Sequence, residues 1–231
     1  MQNAEKYPLS CSLDTLKNVS SEEAIILEAG CGTGRILRYF HENGYKIIGI
    51  DFIENAIAKI LELDIDLNAE VGDITKLRFN DDFFTHVLAF GLYHNFEEKM
   101  MEDALLETRR VMKKQGLLCA SFRADNIQNW LNDRFFSKGL GEKRNSDSNN
   151  QSRRTFHKIN MTKHEVKQII SKIGFKIVKI YEIENMPLLY KIKFFRHRTH
   201  KEFNEVISRR DGYLLNFFGS VLQNFLRKFF K

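Results

Sequence analysis

The segment Ile25–Arg35, reading I-I-L-E-A-G-C-G-T-G-R, restricts the fold of this chain more than any other stretch. Ile25, Ile26 and Leu27 form the short apolar run that a strand buried on both faces requires. Glu28 ends the run, and Gly30, Gly32 and Gly34 then supply a tight turn whose backbone can approach a ligand with no Cβ in the way. Ile36, Leu37, Phe40 and His41 follow at helical spacing, so a strand passes through a glycine loop into a helix. The dinucleotide fingerprint G-x-G-x-x-G does not fit, because it would need glycine at Arg35 or Leu37.

The rest of the chain continues the alternation. Tyr45–Ile50 reads as a second buried strand closed by Asp51, which lies 17 residues beyond Gly34. A carboxylate there can accept both hydroxyl hydrogens of a ribose or cap the helix of Ala56–Leu61, and the two roles can coexist. Asn68–Val71 is a short third strand, followed by Gly72-Asp73-Ile74-Thr75. Phe84–Phe90 is a central fourth strand, apolar on both faces. It runs into G-L-Y-H-N-F, placing Tyr93 and His94 at the carboxyl end of the sheet, where open α/β sheets bind ligands. A helix over Lys99–Lys113 leads to a fifth strand, Leu117–Phe122. Thr162 and Glu165 form a capping box for a helix over Met161–Ile173, Gly174 stops it, and Phe175–Tyr181 reads as a sixth strand.

The E-x-G-x-G-x-G of Glu28–Gly34 resembles motif I of the class I S-adenosylmethionine-dependent methyltransferases. Asp51, the Asp73-Ile74 pair and R-R-V-M-K-K-Q-G at 109–116 follow in that family's order, and the resemblance spans Ala24–Tyr181. It is nearest to the small-molecule group called type 11. The resemblance implies an α/β fold with a doubly wound, mostly parallel, Rossmann-like sheet and a lid insert; the wide apolar stripe of Tyr213–Phe230 adds a C-terminal amphipathic helical extension. It implies S-adenosylmethionine as cofactor, S-adenosylhomocysteine as product and no metal. The cofactor contacts it implies are Glu28, Gly30, Cys31, Gly32, Gly34, Asp51, Phe52, Asp73, Ile74 and Phe90, with Asp73 reaching the adenine amino group and Ile74 packing on the ring. In two places the chain departs from the family: Gln115 replaces a glycine and Lys114 a proline, changes to the turn rather than to the chemistry.

A sulfonium already activates its methyl group, so the protein must mainly hold the acceptor in line, about 3–3.5 Å away. His94, whose type titrates near ~6.5, is the first candidate base, with Tyr93 orienting the acceptor. Alternatively, both residues only pack around the methionine end of the cofactor. Arg123, just past the fifth strand, pairs either an acceptor carboxylate or phosphate or a structural acid. His157 is a weaker candidate on the substrate side. Cys31 has no base beside it and reads as a packing residue, not a nucleophile.

The domain reading is 1–190 for the methyltransferase domain, with 123–157 as a variable insert, and 191–231 as a basic, Phe-rich extension. Trp130, Leu131, Phe135 and Phe136 suit a helical lid, while 137–155 is polar and reads as a lid or a surface loop. Leu188–Phe195 is either the family's antiparallel seventh strand or the start of a helix; in the second case the chain stops before that strand. Between 191 and 231 ten Lys/Arg stand against three Asp/Glu, so this stretch carries +7 of a chain whose net charge is +6. The remainder is near neutral, which argues against a surface that attracts nucleic acid throughout. Residues 90–93 read F-G-L-Y, without the prolines of D/N-P-P-Y amino-methyltransferases, and no Pro-Cys occurs. The extension suits either an anionic membrane surface or a piece of the core.

The expected acceptor is a small or lipid-like molecule. Alternatives are a membrane-surface lipid or quinone methyltransferase, an RNA methyltransferase, and a non-catalytic cofactor-binding scaffold. Three widely spaced cysteines without a C-x-x-C pair suggest neither a zinc site nor a disulfide framework. They fit a reducing cytoplasm, as does an N-terminus without an apolar signal region. Peripheral membrane attachment through 191–231 is the further option.

Overall fold

The structure is a computed structural model, described over residues 8–126, 129–130, 158–181, 189, 193–198 and 213–229. These fall into two compact units. The first holds residues up to 125 together with 158–181; the second holds the described residues of 126–130 and of the chain beyond 181.

The first unit is built on five parallel strands in the order β3-β2-β1-β4-β5: β1 (Ile25–Ala29), β2 (Lys46–Asp51), β3 (Ala69–Val71), β4 (Phe84–Ala89) and β5 (Met112–Ala120). The helices are α1 (Leu9–Leu16), α2 (Arg35–Glu42), α3 (Glu54–Leu63), α4 (Glu98–Val111) and α5 (Lys163–Ile173). Strand order reverses between β1 and β4, which opens a crevice at their carboxyl ends, the binding position in open α/β sheets. The apolar runs are buried as their pattern requires: Ile26, Leu27, Val87, Leu88 and Ala89 are all fully inaccessible. The mostly parallel, doubly wound sheet expected from the sequence is thus the observed fold.

Helix ends follow local chemistry. Thr162 accepts the Glu165 amide while Glu165 accepts the Thr162 amide at 2.7 Å, the reciprocal box expected at the start of α5. Gly174 closes α5 at φ 91°, with its amide on the Ser171 carbonyl and the Arg109 guanidinium on the Ile173 carbonyl.

In its elements the chain departs from the sequence reading at one place and takes one of two stated alternatives at another. Phe175–Tyr181 is not a sixth strand: it makes no ladder, Val178 and Ile180 lie exposed, and Lys179 and Tyr181 are tied instead to Asp14 of α1. An apolar alternation makes a strand only where a neighbouring strand offers hydrogen bonds, and α1 packs beside β5. The described N-terminal residues begin at Pro8 and enter α1 directly. Within Leu188–Phe195 the described residues are helical, Lys193–Phe195 forming one 3-10 turn, so they take the helical alternative. Residues 188 and 190–192, and the insert from 131 to 157, lie outside the described residues.

The second unit contains a short antiparallel pair, β6 (Arg196–Arg198) with β7 (Tyr213–Leu215), and the helix α6 (Phe217–Phe229). Asn216 caps α6 by accepting the Gly219 amide at 2.8 Å. No helix among the described residues is long and apolar enough to cross a membrane.

The turn that carries Gln115 is a bulge. Phe84 pairs Met112 and His86 pairs Leu117, so Lys113–Gly116 is the extra length between two matched pairs. Gln115 there adopts φ 67°, and a Cβ on Gly116 would lie 2.9 Å from the carbonyl oxygens of both Lys113 and Thr85. Gln115→Gly is expected to stabilise the chain by about 1 kcal/mol by removing left-handed strain. Gly116→Ala should destabilise it. Urea unfolding midpoints check both, and a Gln115→Gly midpoint at or below wild type contradicts the strain.

Candidate active site

The glycine loop after β1 is fastened to the end of β2 by its own amides. Gly30 and Cys31 donate to the Ile50 carbonyl at 2.8 and 2.9 Å, and Gly32 donates to Asp51 Oδ2 at 2.8 Å. The other carboxylate oxygen, Asp51 Oδ1, accepts the Ile53 amide at 2.9 Å, and the Gly34 amide turns back onto Cys31 at 2.8 Å. Gly30, Gly32 and Gly34 all have positive φ, so the loop demands glycine at each of its three motif positions. These amides are therefore spent inside the protein. A loop that cradles pyrophosphate points its amides at the ligand, and this one does not.

Glu28 sits beneath the loop, buried at the end of β1. Its carboxyl takes the Leu37 amide in the first turn of α2, while Oε2 is buried with no hydrogen-bond partner. Burial pushes its pKa up to about 8, more than the Leu37 amide and the Arg35 charge pull it down. Cys31 is buried beside it, its thiol held far above the ordinary range by burial and by the nearby Glu28 and Asp51 carboxylates. Sγ packs against Gly49, where a Cβ would lie 2.8 Å from Leu37 and 3.1 Å from Cys31 Sγ. Gly49 is the residue that lets loop and helix dock, and no periodicity marks it.

Around the loop stand the other carboxyl-terminal ends. Phe52, the residue after Asp51, is more than half exposed, as is Ile53, and Val71 is 50 % exposed. Asp73 Oδ1 accepts both the Thr75 amide (2.9 Å) and hydroxyl (2.7 Å), and Ile74 belongs to the buried core. A hollow of about 220 Å³ is lined by Ile50, Val71, Gly72 and Asp73 among others. A larger one, about 520 Å³, is lined by Thr75, Lys76 and four residues of α4, and contains none of the loop residues. On the other side of the crevice a Cβ on Gly30 would touch Leu92 at 3.1 Å, so the loops after β1 and β4 lie together. Phe90, half-buried, begins the second of these loops.

The β4 loop is pinned from β5: Ser121 Oγ accepts the Gly91 amide at 2.8 Å, and the Ile159 amide bonds the His94 carbonyl at 2.8 Å. Within it Tyr93 and His94 part company. Tyr93 is completely buried, its hydroxyl bonded to Thr108 Oγ1 at 2.8 Å and its ring stacked on Phe122. The expectation that Tyr93 orients an acceptor from the mouth of the site is therefore corrected: α4 offers Thr108 as an internal partner, and the ring completes the core. His94 is half-buried. It bonds the Ser121 backbone, and its Nδ1 is buried without a hydrogen-bond partner. Burial first, then the charges of Arg123 and Lys158, hold its pKa below the ordinary histidine value. Arg123 is itself fixed by Asn160 Oδ1, with its carbonyl on the Met161 amide. His157 lies outside the described residues. Ser121 and Asn160, which position His94 and Arg123, carried no signal in the sequence.

The buried Glu28, the spent loop amides and the carboxylate at the end of β2 fit the cofactor of the methyltransferase family and do not fit a pyrophosphate. Residues 27–120 match the family model for the type 11 methyltransferase domain. This segment, four-tenths of the chain, is similar to that domain. Two uncharacterized methyltransferases of Schizosaccharomyces pombe, C750.03c and C1348.04, are each 32% identical to the chain over 74 residues, 30% of this chain and 51% of theirs. The chain thus spans about half the length of the curated relatives it matches. Among solved structures, a SAM-dependent methyltransferase of Methanosarcina mazei superimposes with a TM-score of 0.56 at 21% identity, covering 78% of this chain and 91% of that one. The magnesium protoporphyrin IX methyltransferase of Synechocystis PCC 6803, solved with bound SAH, gives 0.57 at 14% identity over 77% and 75%. These two likenesses concern the fold alone.

Glu28 gives a test that needs no ligand. Its pKa is raised from 4.5 to about 8 by folding, so its contribution to stability is whole below about pH 4.5 and is lost as pH rises toward 8. Glu28→Gln, neutral throughout, should remove that loss, with a relative gain of about 4–5 kcal/mol between pH 4.5 and pH 8.5. Urea unfolding of both proteins across this range measures it; identical pH slopes would contradict a buried, neutral carboxyl.

Proposed function

We propose that the chain transfers a methyl group from S-adenosylmethionine to a small-molecule or lipophilic acceptor. The observation that carries this reading is the glycine loop held on Ile50 and Asp51 with a buried Glu28 beneath it. Asp51 would hold the ribose hydroxyls, since each of its oxygens keeps a lone pair beyond its one backbone bond. Phe52, exposed at the same strand end, would cover a base, and Asp73 would receive the adenine amino group. The bound cofactor supplies an electrophilic methyl on a positively charged sulfur.

The chain's part is to hold the acceptor and take its proton. His94 is the base in this reading. A pKa below the ordinary value keeps the imidazole neutral at pH 7 and so able to accept a proton. Arg123 and Lys158, whose charges reach His94, favour an acceptor with an anionic group near the reacting atom. Tyr93 acts only by fixing the turn.

Transfer of labelled methyl from S-adenosylmethionine into fractionated extracts is the test of the activity. Label in the organic or small aqueous fraction supports the reading, and label in nucleic acid alone overturns the acceptor class. With an acceptor in hand, His94→Gln should lower kcat by about 10²–10⁴. Wild-type kcat/KM should fall on the acid side, below about pH 6.5, and stay level through neutrality. Unchanged kcat in His94→Gln would reduce His94 to packing.

A further inference from the structure

Five apolar side chains of the second unit are exposed and lie close together. Along α6, Phe217, Phe218, Val221 and Phe225 fall within about 100° of helical arc, and they are 77%, 63%, 52% and 55% exposed. Gly219, on the opposite side of the helix, is buried. Phe194, 69% exposed in the turn before β6, extends the patch, its ring 6.3 Å from that of Phe218. The arrangement is held by Asn216: its backbone amide bonds the Phe195 carbonyl at 2.9 Å, its side-chain amide bonds the Phe194 carbonyl at 2.6 Å, and its side-chain oxygen caps α6. An amphipathic helix docked on a core hides such a stripe, and this one displays it.

The same stretch, 191–231, carries +7. Charge decides between occupants of the patch. A second copy would bring two such cationic segments together, which electrostatics opposes. A nucleic acid would satisfy the charge, but the phenylalanines stand on one helix face rather than in a groove that tracks a strand. An anionic lipid surface satisfies both features: headgroups meet Lys and Arg, each contributing ~1 kcal/mol near such a surface, and rings enter the interface. We propose that the turn at Phe194 and the face of α6 formed by Phe217, Phe218, Val221 and Phe225 dock the protein on an anionic membrane surface. This is independent of the methyl-transfer reading, because no residue of the candidate active site takes part.

The test is co-sedimentation of the full chain with phosphatidylcholine vesicles with and without phosphatidylserine. We expect at least tenfold stronger partition onto the phosphatidylserine vesicles at 0.1 M salt (roughly one Debye length of 10 Å), and loss of that preference at high salt. The triple variant Phe217→Ser/Phe218→Ser/Phe225→Ser should lose at least tenfold of the binding while keeping the wild-type affinity for S-adenosylhomocysteine. If the variant fails to fold, the comparison of the two vesicle types and two salt conditions with wild type still decides. Equal partition onto both vesicles, no partition at all, or binding unaffected by the triple substitution overturns the proposal. So does a wild-type dimer that the substitutions convert to monomer without any vesicle binding, since a second copy would then be what covers the face.

Discussion

Three consecutive amides, those of Gly30, Cys31 and Gly32, bonded to the end of β2 are the constraint on which the site depends. They tie the loop after β1 to Ile50 and Asp51, set the loop's curvature, and fix where α2 begins. They also fix the chemistry by removing donors. A glycine loop whose amides face outward is a ready anion site; here the amides are consumed, and the N-terminal turn of α2 receives the Glu28 carboxyl of the same chain. What remains in reach of a ligand is one carboxylate, an exposed aromatic ring and glycine backbone. That set suits a nucleoside and a cationic centre, not a diphosphate.

The two carboxyl groups show how position separates roles. Glu28 and Asp51 end neighbouring strands. Asp51 sits at the rim, each oxygen taking one amide, while Glu28 is enclosed, with burial outweighing its single amide. The first is an acceptor available to hydroxyls, the second a mostly neutral post under the loop. On the far side of the crevice the same division separates Tyr93 from His94: adjacent in sequence, one ring faces α4 and closes the core, and the other keeps a free nitrogen beside two cations.

Much of the fold was legible because its signals are local. Apolar runs gave β1, β2 and β4, glycine spacing gave the loop, and Thr162 with Glu165 gave the start of α5. The family resemblance named Glu28, the loop glycines and Asp51 together, and the structure brings them to one end of the sheet. What depended on distant partners was not legible. The direction of Tyr93 is decided by Thr108 on another element. Phe175–Tyr181 has a strand's composition but no strand beside it. Gly49 earns its place only when α2 folds back over β2, and the left-handed Gln115 is visible only once the β4–β5 register is known. Ser121 and Asn160 act through residues far from them in sequence and belong to no spacing rule.

The central claim is that the crevice at the carboxyl ends of β1, β2 and β4 holds an adenosyl cofactor. The direct measurement is an amide-resolved NMR titration of the chain with S-adenosylhomocysteine, in which the 13 glycines serve as well-separated markers. The account predicts saturable shifts concentrated at Gly30, Gly32, Gly34, Gly72 and Gly91, together with Asp51 and Phe52, and none in α6. Shifts absent at millimolar ligand, or gathered over the hollow at Lys76 and Arg110 instead, would contradict it.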